Sequence, residues 1–226
     1  MITTVVFDAD DTLVDIAPAV HSAQQVVLAE LERMGRLGSL TLDQLRADEV
    51  VAFAEREGEP IEQVRRAALG RSLARIGAEA ELDRLLALFF AHRFAVTRLY
   101  DEVPGLLAEL RGGYALGFGT NGNNRVDRLG LAGTFAFTVY AHEAGVPAKP
   151  AAGFFEAVVK AAQASPESIV HIGDSYRNDV AGAAAAGLRT VWLNRVGAAH
   201  PPGSPPPDAV IRRLGELPQA LTQLVR

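Results

Sequence analysis

The sequence predicts an α/β fold: a parallel sheet with helices on both faces and an all-helical block inserted after the first strand. Two observations predict it. From about residue 114 onward, short strand-like runs alternate with helical segments, and repeated strand and helix units of this length imply parallel strands joined by crossover helices. Between about residues 16 and 98, apolar residues instead recur at helical spacing and no strand interrupts them.

In chain order, Thr3 to Phe7 is a β-branched and aromatic run that ends at Asp8, which suits a buried strand. In the helical block the spacing shows in Ile61, Val64 and Ala68, and in Leu82, Leu85, Leu86 and Phe89. About four helices are expected there, separated at Gly35 to Ser39, Glu57 to Pro60, and Gly77 with Ala78. After Pro104 and Gly105, strands are expected at Tyr114 to Thr120, Phe135 to Ala141, Ser168 to Gly173 and Arg189 to Asn194. Helices are expected at Asn124 to Leu129, Ala151 to Gln163 and Asn178 to Ala186. His200 to Pro207 holds five of the chain's twelve prolines. It reads as a surface loop before a short strand near Ala209 to Ile211 and a terminal helix. The expected division is residues 1–14 with 99–226 as the α/β unit and 15–98 as the helical insert.

Composition narrows the function. The chain has 226 residues, is 49% hydrophobic and carries a net charge of -5, enough for one full core and a smaller second one. Its basic residues are scattered and form no stripe, so a nucleic-acid polymer is not an expected partner. Apolar runs such as Leu85 to Ala91 fall far short of the ~20 residues that span a bilayer. Met1 to Thr4 leads into a strand with no basic start or cleavage site, so a cytoplasmic protein without membrane contact is expected. It is expected to be a monomer or homodimer. The absence of cysteine excludes disulfides and thiolate catalysis, and any metal must bind oxygen or histidine. Only two of the 22 basic residues are lysines, Lys149 and Lys160. A lysine against this arginine-rich background draws attention to a position that needs a compact ammonium.

In open α/β sheets ligands bind beyond the carboxyl ends of the strands. Four such ends stand out: Phe7-Asp8-Ala9-Asp10-Asp11-Thr12-Leu13, Gly119-Thr120-Asn121-Gly122-Asn123, Ala148-Lys149-Pro150, and Gly173-Asp174-Ser175-Tyr176-Arg177-Asn178-Asp179. Each alone has an ordinary explanation as a turn, a helix cap or a solvated charge. Together they bring carboxylates, a hydroxyl, an amide and one ammonium to a single sheet edge. Two unit charges about 4 Å apart repel by about 4 kcal/mol at an effective dielectric near 20, so clustered carboxylates need a cation. Oxygen ligands with room for water suit Mg²⁺ better than zinc. Attack by Asp8 on a phosphate then requires the metal, Lys149 and loop amides to screen two anions from each other.

The five histidines, at 21, 92, 142, 171 and 200, show no metal-binding spacing. His171 reads as a satisfied core histidine within a buried strand, and Trp192 reads as core. Arg65, Arg66 and Arg71 read as a solvated helix face.

These four segments, in this order, resemble the motifs of the haloacid dehalogenase superfamily of hydrolases: D-x-D-x-T at Asp8 to Thr12, T-N-G at Thr120 to Gly122, K-P at Lys149, and G-D-x-x-x-x-D at Gly173 to Asp179. The resemblance covers nearly the whole chain and implies a Rossmann-like core with an inserted cap that closes over the site. It implies a magnesium-dependent phosphatase acting on a small phosphorylated metabolite through an aspartyl-phosphate. By that resemblance Asp8 is nucleophile and metal ligand, while Asp10 is general acid and base and lends its backbone carbonyl to the metal. Thr120 and the Asn121 amide hold the phosphoryl group, Lys149 neutralises Asp8 and phosphate, and Asp174 completes the magnesium shell. Asp179 supports Lys149 or the metal, and residues around 13–16 and 98–105 form two hinge strands. Dehalogenases of the family normally lack the second aspartate, which is present here as Asp10. Phosphotransferases and mutases share the whole motif set, and a non-catalytic metabolite-binding protein would be expected to lack a motif residue. The substrate is not written in the motifs.

Overall fold

The structure is a computed structural model that describes residues 1–224; the last two residues of the expected 99–226 segment lie outside the described residues. It divides into two compact units, residues 1–14 with those from 99 onward, and residues 15–98. In chain order the elements are β1 (Thr4–Phe7), β2 (Val14–Asp15), α1 (Ile16–Arg33), α2 (Leu42–Glu55), α3 (Ile61–Ala74), α4 (Leu82–Val96) and β3 (Arg98–Leu99). There follow α5 (Val103–Leu110), β4 (Ala115–Thr120), β5 (Phe137–Tyr140), α6 (Ala152–Ala162), β6 (Ile169–Gly173), α7 (Gly182–Ala185), β7 (Arg189–Leu193), β8 (Ala209–Ile211) and α8 (Leu217–Leu224).

Six strands form one sheet in the order β5-β4-β1-β6-β7-β8, and every pairing is parallel. β1 lies inside the sheet and carries Val5, Val6 and Phe7, all with no exposed surface. Full burial of each such side chain contributes about 1.5–3 kcal/mol. The chain runs outward from β1 through β4 and β5, then returns to β6 on the other side of β1. This reversal makes the carboxyl end of β1 a topological switch point, where parallel sheets open a crevice. Register aligns Phe7 with Phe118 and with Ile172, so the loops after β1, β4 and β6 leave the sheet side by side. Beneath them Val6, Phe154, Phe155, Val158 and Ile169 form part of one apolar cluster.

In the helical unit α1 packs on α4 and α2 on α3, around a core that includes Val27, Leu31, Leu73, Leu85 and Phe89. α2 begins with a reciprocal capping box: the Gln44 amide donates to Thr41 Oγ1 and the Thr41 amide to Gln44 Oε1. Such a cap satisfies two of the orphan donors at the helix start. Gly35, Gly58 and Gly77 adopt positive φ between the helices. Arg65 departs from the sequence reading. Its side chain is only 12% exposed, pairs with Glu49 and lies over the rings of Phe53 and Phe89, whereas Arg66 and Arg71 remain half exposed on surface ion pairs.

Three other expectations change. α5 was not anticipated because Pro104 and Gly105 read as punctuation. Pro104 instead sits in the first turn of the helix, where its missing N–H leaves no bond unmade. The expected helix at Asn124 to Leu129 is a compact turn closed by Leu129 N donating to Arg125 O and Leu131 N to Val126 O. Gly130, at φ +71, then reverses the chain before a second turn forms. The expected helix from Asn178 begins earlier, as a π-helical turn over Tyr176–Ala181. There Gly182 N bonds to Arg177 O, five residues back, a widening often found where a functional side chain must be placed.

Candidate active site

Asp8 continues the strand: its amide donates to Ile172 O at 2.9 Å, so its side chain leaves from the end of β1. The next residues turn sharply. Leu13 and Val14 amides both return to Ala9 O, the Asp11 amide donates to Val14 O, and Asp11 itself has φ +56, a conformation that aspartate tolerates better than most residues. This turn places Asp10 beside the loop after β4. Asn124 Nδ2 donates to Asp10 Oδ1 at 2.5 Å. A Cβ at Gly122 would lie 2.6 Å from Asp10 Oδ2, so a larger residue there would displace the carboxylate.

Lys149 is the hub. Its buried ammonium donates to Asp8 Oδ1 at 2.6 Å, Asp179 Oδ1 at 2.6 Å and Gly119 O at 3.1 Å, which uses all three of its N–H bonds. Its backbone is gripped by Asn121, whose Nδ2 donates to Lys149 O while Oδ1 accepts from Lys149 N. Thr120 is buried at the end of β4, and its hydroxyl accepts from the Gly122 amide at 2.9 Å. Asp174 follows β6, and its backbone carbonyl accepts from Trp192 Nε1 at 2.9 Å. Asp179 Oδ2 accepts from the Ser175 amide.

Asp8, Asp10, Asp11, Thr120, Lys149, Asp174 and Asp179 thus meet around one cavity of about 180 Å³. Burial works against the charge on Lys149, but the Asp179 and Asp8 carboxylates outweigh it and hold the ammonium above its ordinary range. Burial pushes Asp8 well up; Lys149 opposes the shift, while Asp179 and Asp174 add to it. Asp174 is pushed up to about 7 by burial and by the charges of Asp179 and Asp11. Asp179 is the exception: burial opposes its ionisation, yet Lys149 and the His171 hydrogen bond hold it below the ordinary carboxylate range. The single ammonium therefore keeps Asp179 charged and leaves Asp8 and Asp174 short of positive charge.

A divalent cation fits that deficit. Carboxylate oxygens of Asp8, Asp174 and Asp179 lie within 4.8 Å of one another, and all are hard oxygen donors. The oxygens of Asp179 already receive hydrogen bonds from Lys149, His171 and Ser175, whereas the raised values of Asp8 and Asp174 mark the carboxylates a cation would relieve.

All seven residues singled out by the sequence line this cavity. Sequence reasoning missed Asn124, which holds Asp10; Trp192, which is core but also ties down Asp174; and Arg195. The Arg195 guanidinium donates to Asp11 O, Thr12 O and Glu102 Oε1 and stacks on Tyr100. It fastens the turn after Asp10 to the segment that follows β3. No local pattern announces these partners, because each acts across more than 15 positions of sequence.

Buried carboxylates and one lysine thus meet at the switch point of a parallel sheet. The family model of haloacid dehalogenase-like hydrolases matches residues 2–187, and the chain belongs to that family. It is 35% identical to the phosphoserine phosphatase of Thermus thermophilus over 130 residues, 55% of this chain and 52% of that protein, so the match spans about half the length of that relative. It is 29% identical to the glyceraldehyde 3-phosphate phosphatase of Methanopyrus kandleri over 207 residues, 86% of this chain and 85% of that one. Among solved structures, a 2-haloacid dehalogenase from Pseudomonas syringae pv. Tomato superposes with a TM-score of 0.78 at 33% identity, over 99% of both chains.

Proposed function

We propose that this chain is a magnesium-dependent phosphatase that hydrolyses a small phosphomonoester through an aspartyl-phosphate at Asp8. The observation that carries this reading is the presence of Asp10, held by Asn124, on the same cavity as Asp8 and Lys149. An alkoxide leaving group needs a proton and a halide does not. In the first step an Asp8 carboxylate oxygen attacks phosphorus, the ester P–O bond breaks, and Asp10 gives its proton to the leaving oxygen. In the second, Asp10 takes a proton from water as that water attacks phosphorus, which releases phosphate and restores Asp8. Thr120 and the Asn121 amide orient the phosphoryl oxygens, and Lys149 offsets their charge and that of Asp8. Asp8, Asp174 and the Asp10 backbone carbonyl would hold Mg²⁺, which when bound supplies charge neutralisation for the transferring phosphoryl group. Asp179 supports Lys149. Residues 15–98 act as the cap that selects the substrate.

The 33% identity to a 2-haloacid dehalogenase supports a second reading, displacement of halide from carbon by Asp8. One assay separates the two. Wild-type protein is incubated with phosphomonoesters (phosphoserine, glyceraldehyde 3-phosphate, nucleoside monophosphates) and, separately, with 2-chloroacids. Phosphate release with Mg²⁺ and no chloride release is the expected result; chloride release without phosphate release would replace the proposal with the dehalogenase reading.

A further inference from the structure

We infer that His171 is a positioning residue: a neutral imidazole that fixes Asp179 and, through it, Lys149 against the nucleophile Asp8. The inference deepens the phosphatase reading and rests on it for its catalytic consequence.

Side chains two apart on a strand share a face, so His171 and Gly173 of β6 point the same way. A Cβ at Gly173 would lie 2.1 Å from Asp179 Cγ, so the Asp179 carboxylate rests directly on the hydrogen of that glycine. The imidazole is the next side chain along the same face, and its Nε2 lies 3.1 Å from Asp179 Oδ1. That same oxygen accepts from Lys149 Nζ, which in turn donates to Asp8 Oδ1. Four side chains thus form one buried line from the strand interior to the nucleophile.

The tautomer follows from the partners. A carboxylate only accepts, so Nε2 carries the proton. Nδ1 is buried with no hydrogen-bond partner among the described residues, so nothing favours a proton there. A second buried cation close to the Lys149 ammonium would be disfavoured by both desolvation and repulsion. The ring is therefore a neutral donor. Such a donor orients Asp179 without cancelling the charge that Asp179 needs to hold Lys149.

A residue that merely filled this space would be apolar, as Ile169, Val170 and Ile172 are on the same strand. The imidazole also packs edge-on against Phe155, with ring centres 5.4 Å apart, a contact that phenylalanine could make as well. Leaving Nδ1 buried and unpartnered is unfavourable, and what compensates it is the bond made at Nε2.

The test compares wild type with His171→Phe, which keeps the packing and loses the donor, and His171→Gln, which restores an N–H. Kinetics with the best phosphomonoester and ¹⁵N NMR of the imidazole and of the lysine ammonium groups are both recorded. The chain has only two lysines, so the Lys149 resonance is assigned against Lys160. The expected result for His171→Phe is a fall in kcat of about tenfold or more with KM little changed, an unchanged or higher thermal midpoint, and a shifted Lys149 resonance. His171→Gln recovers most of kcat and the wild-type Lys149 resonance. Wild-type kcat in His171→Phe, or a protonated Nδ1 in wild type, overturns the inference. The NMR arm needs no turnover: wild type without phosphatase activity would sink the functional reading, while the Lys149 shift would still decide whether His171 positions it.

Discussion

Two buried carboxylates, one in each unit, show how the same group serves opposite ends. Asp48 in the helical unit is 1% exposed and matched in full. Its oxygens accept from Ser72 Oγ and from both Nε and Nη2 of Arg75, and the Arg75 hydrogen bonds hold it below the ordinary carboxylate range. Asp8 is 7% exposed but shares the Lys149 ammonium with Asp179, in a cavity also lined by Asp10, Asp11 and Asp174. Burial pushes it up instead of down. A carboxylate with its own cation contributes to the fold; a group of carboxylates around one shared cation stores a demand for positive charge. The first arrangement is complete as it stands, and the second would be balanced by a bound cation.

Substitutions should separate the two cases. Apart from loss of Asp8 itself, the largest effect is expected from Asp10→Asn, which keeps the backbone carbonyl but loses the proton donor: kcat should fall by about 10²–10⁴, with the thermal midpoint nearly unchanged. Comparable activity in the mutant would remove Asp10 from the acid and base role. Lys149→Arg should lower kcat by about 10², since a planar guanidinium cannot place three donors on Asp8, Asp179 and Gly119 O at once. Retained activity would mean that only the charge matters.

Asp48→Asn should leave turnover intact and lower stability by about 1–3 kcal/mol, with the half-exposed Arg75 keeping it toward the lower end. That corresponds to a drop in melting temperature of about 2–12 °C for a chain of this size. The folded-state value of Asp48 lies below its unfolded one, so its contribution is fully present above about pH 4 and is lost as pH falls through the folded value. The difference in melting temperature between wild type and mutant should therefore shrink below pH 4, and a difference that held constant to pH 2 would show that the pairing is not electrostatic.

The smallest effect concerns Asp174, pushed up to about 7. Its folded value lies above its unfolded one, so the metal-free protein loses stability as pH rises from about 4 through 7. A bound cation requires the ionised form. Thermal stabilisation by added Mg²⁺ should accordingly be greater at pH 8 than at pH 6, as a melting series would record; the reverse order would argue against Asp174 as a ligand.

The parallel core was legible because each short apolar run ends in a polar loop, and the sheet's period places those loops on one edge. Asp8, Thr120, Lys149 and Asp174 could be found for that reason. The positions that hold them could not. Asn124 meets Asp10 across 114 residues, and Arg195 reaches Asp11 across 184; neither contact leaves a local pattern. His171 and Trp192 look like core from sequence because they are core, and only their ring nitrogens tell the rest. Pro104 shows the converse error, in which a residue that usually breaks helices stands at the start of one.

The most direct test of the charge-deficit account is phosphate release by wild type and Asp8→Asn, each with Mg²⁺ and with chelator. The account predicts turnover in wild type with Mg²⁺ alone, and a fall of about 10⁴ or more when either the metal or the Asp8 carboxylate is removed. Phosphate release by Asp8→Asn at the wild-type rate would contradict it, because the carboxylate at the centre of the site would then have no part in the chemistry.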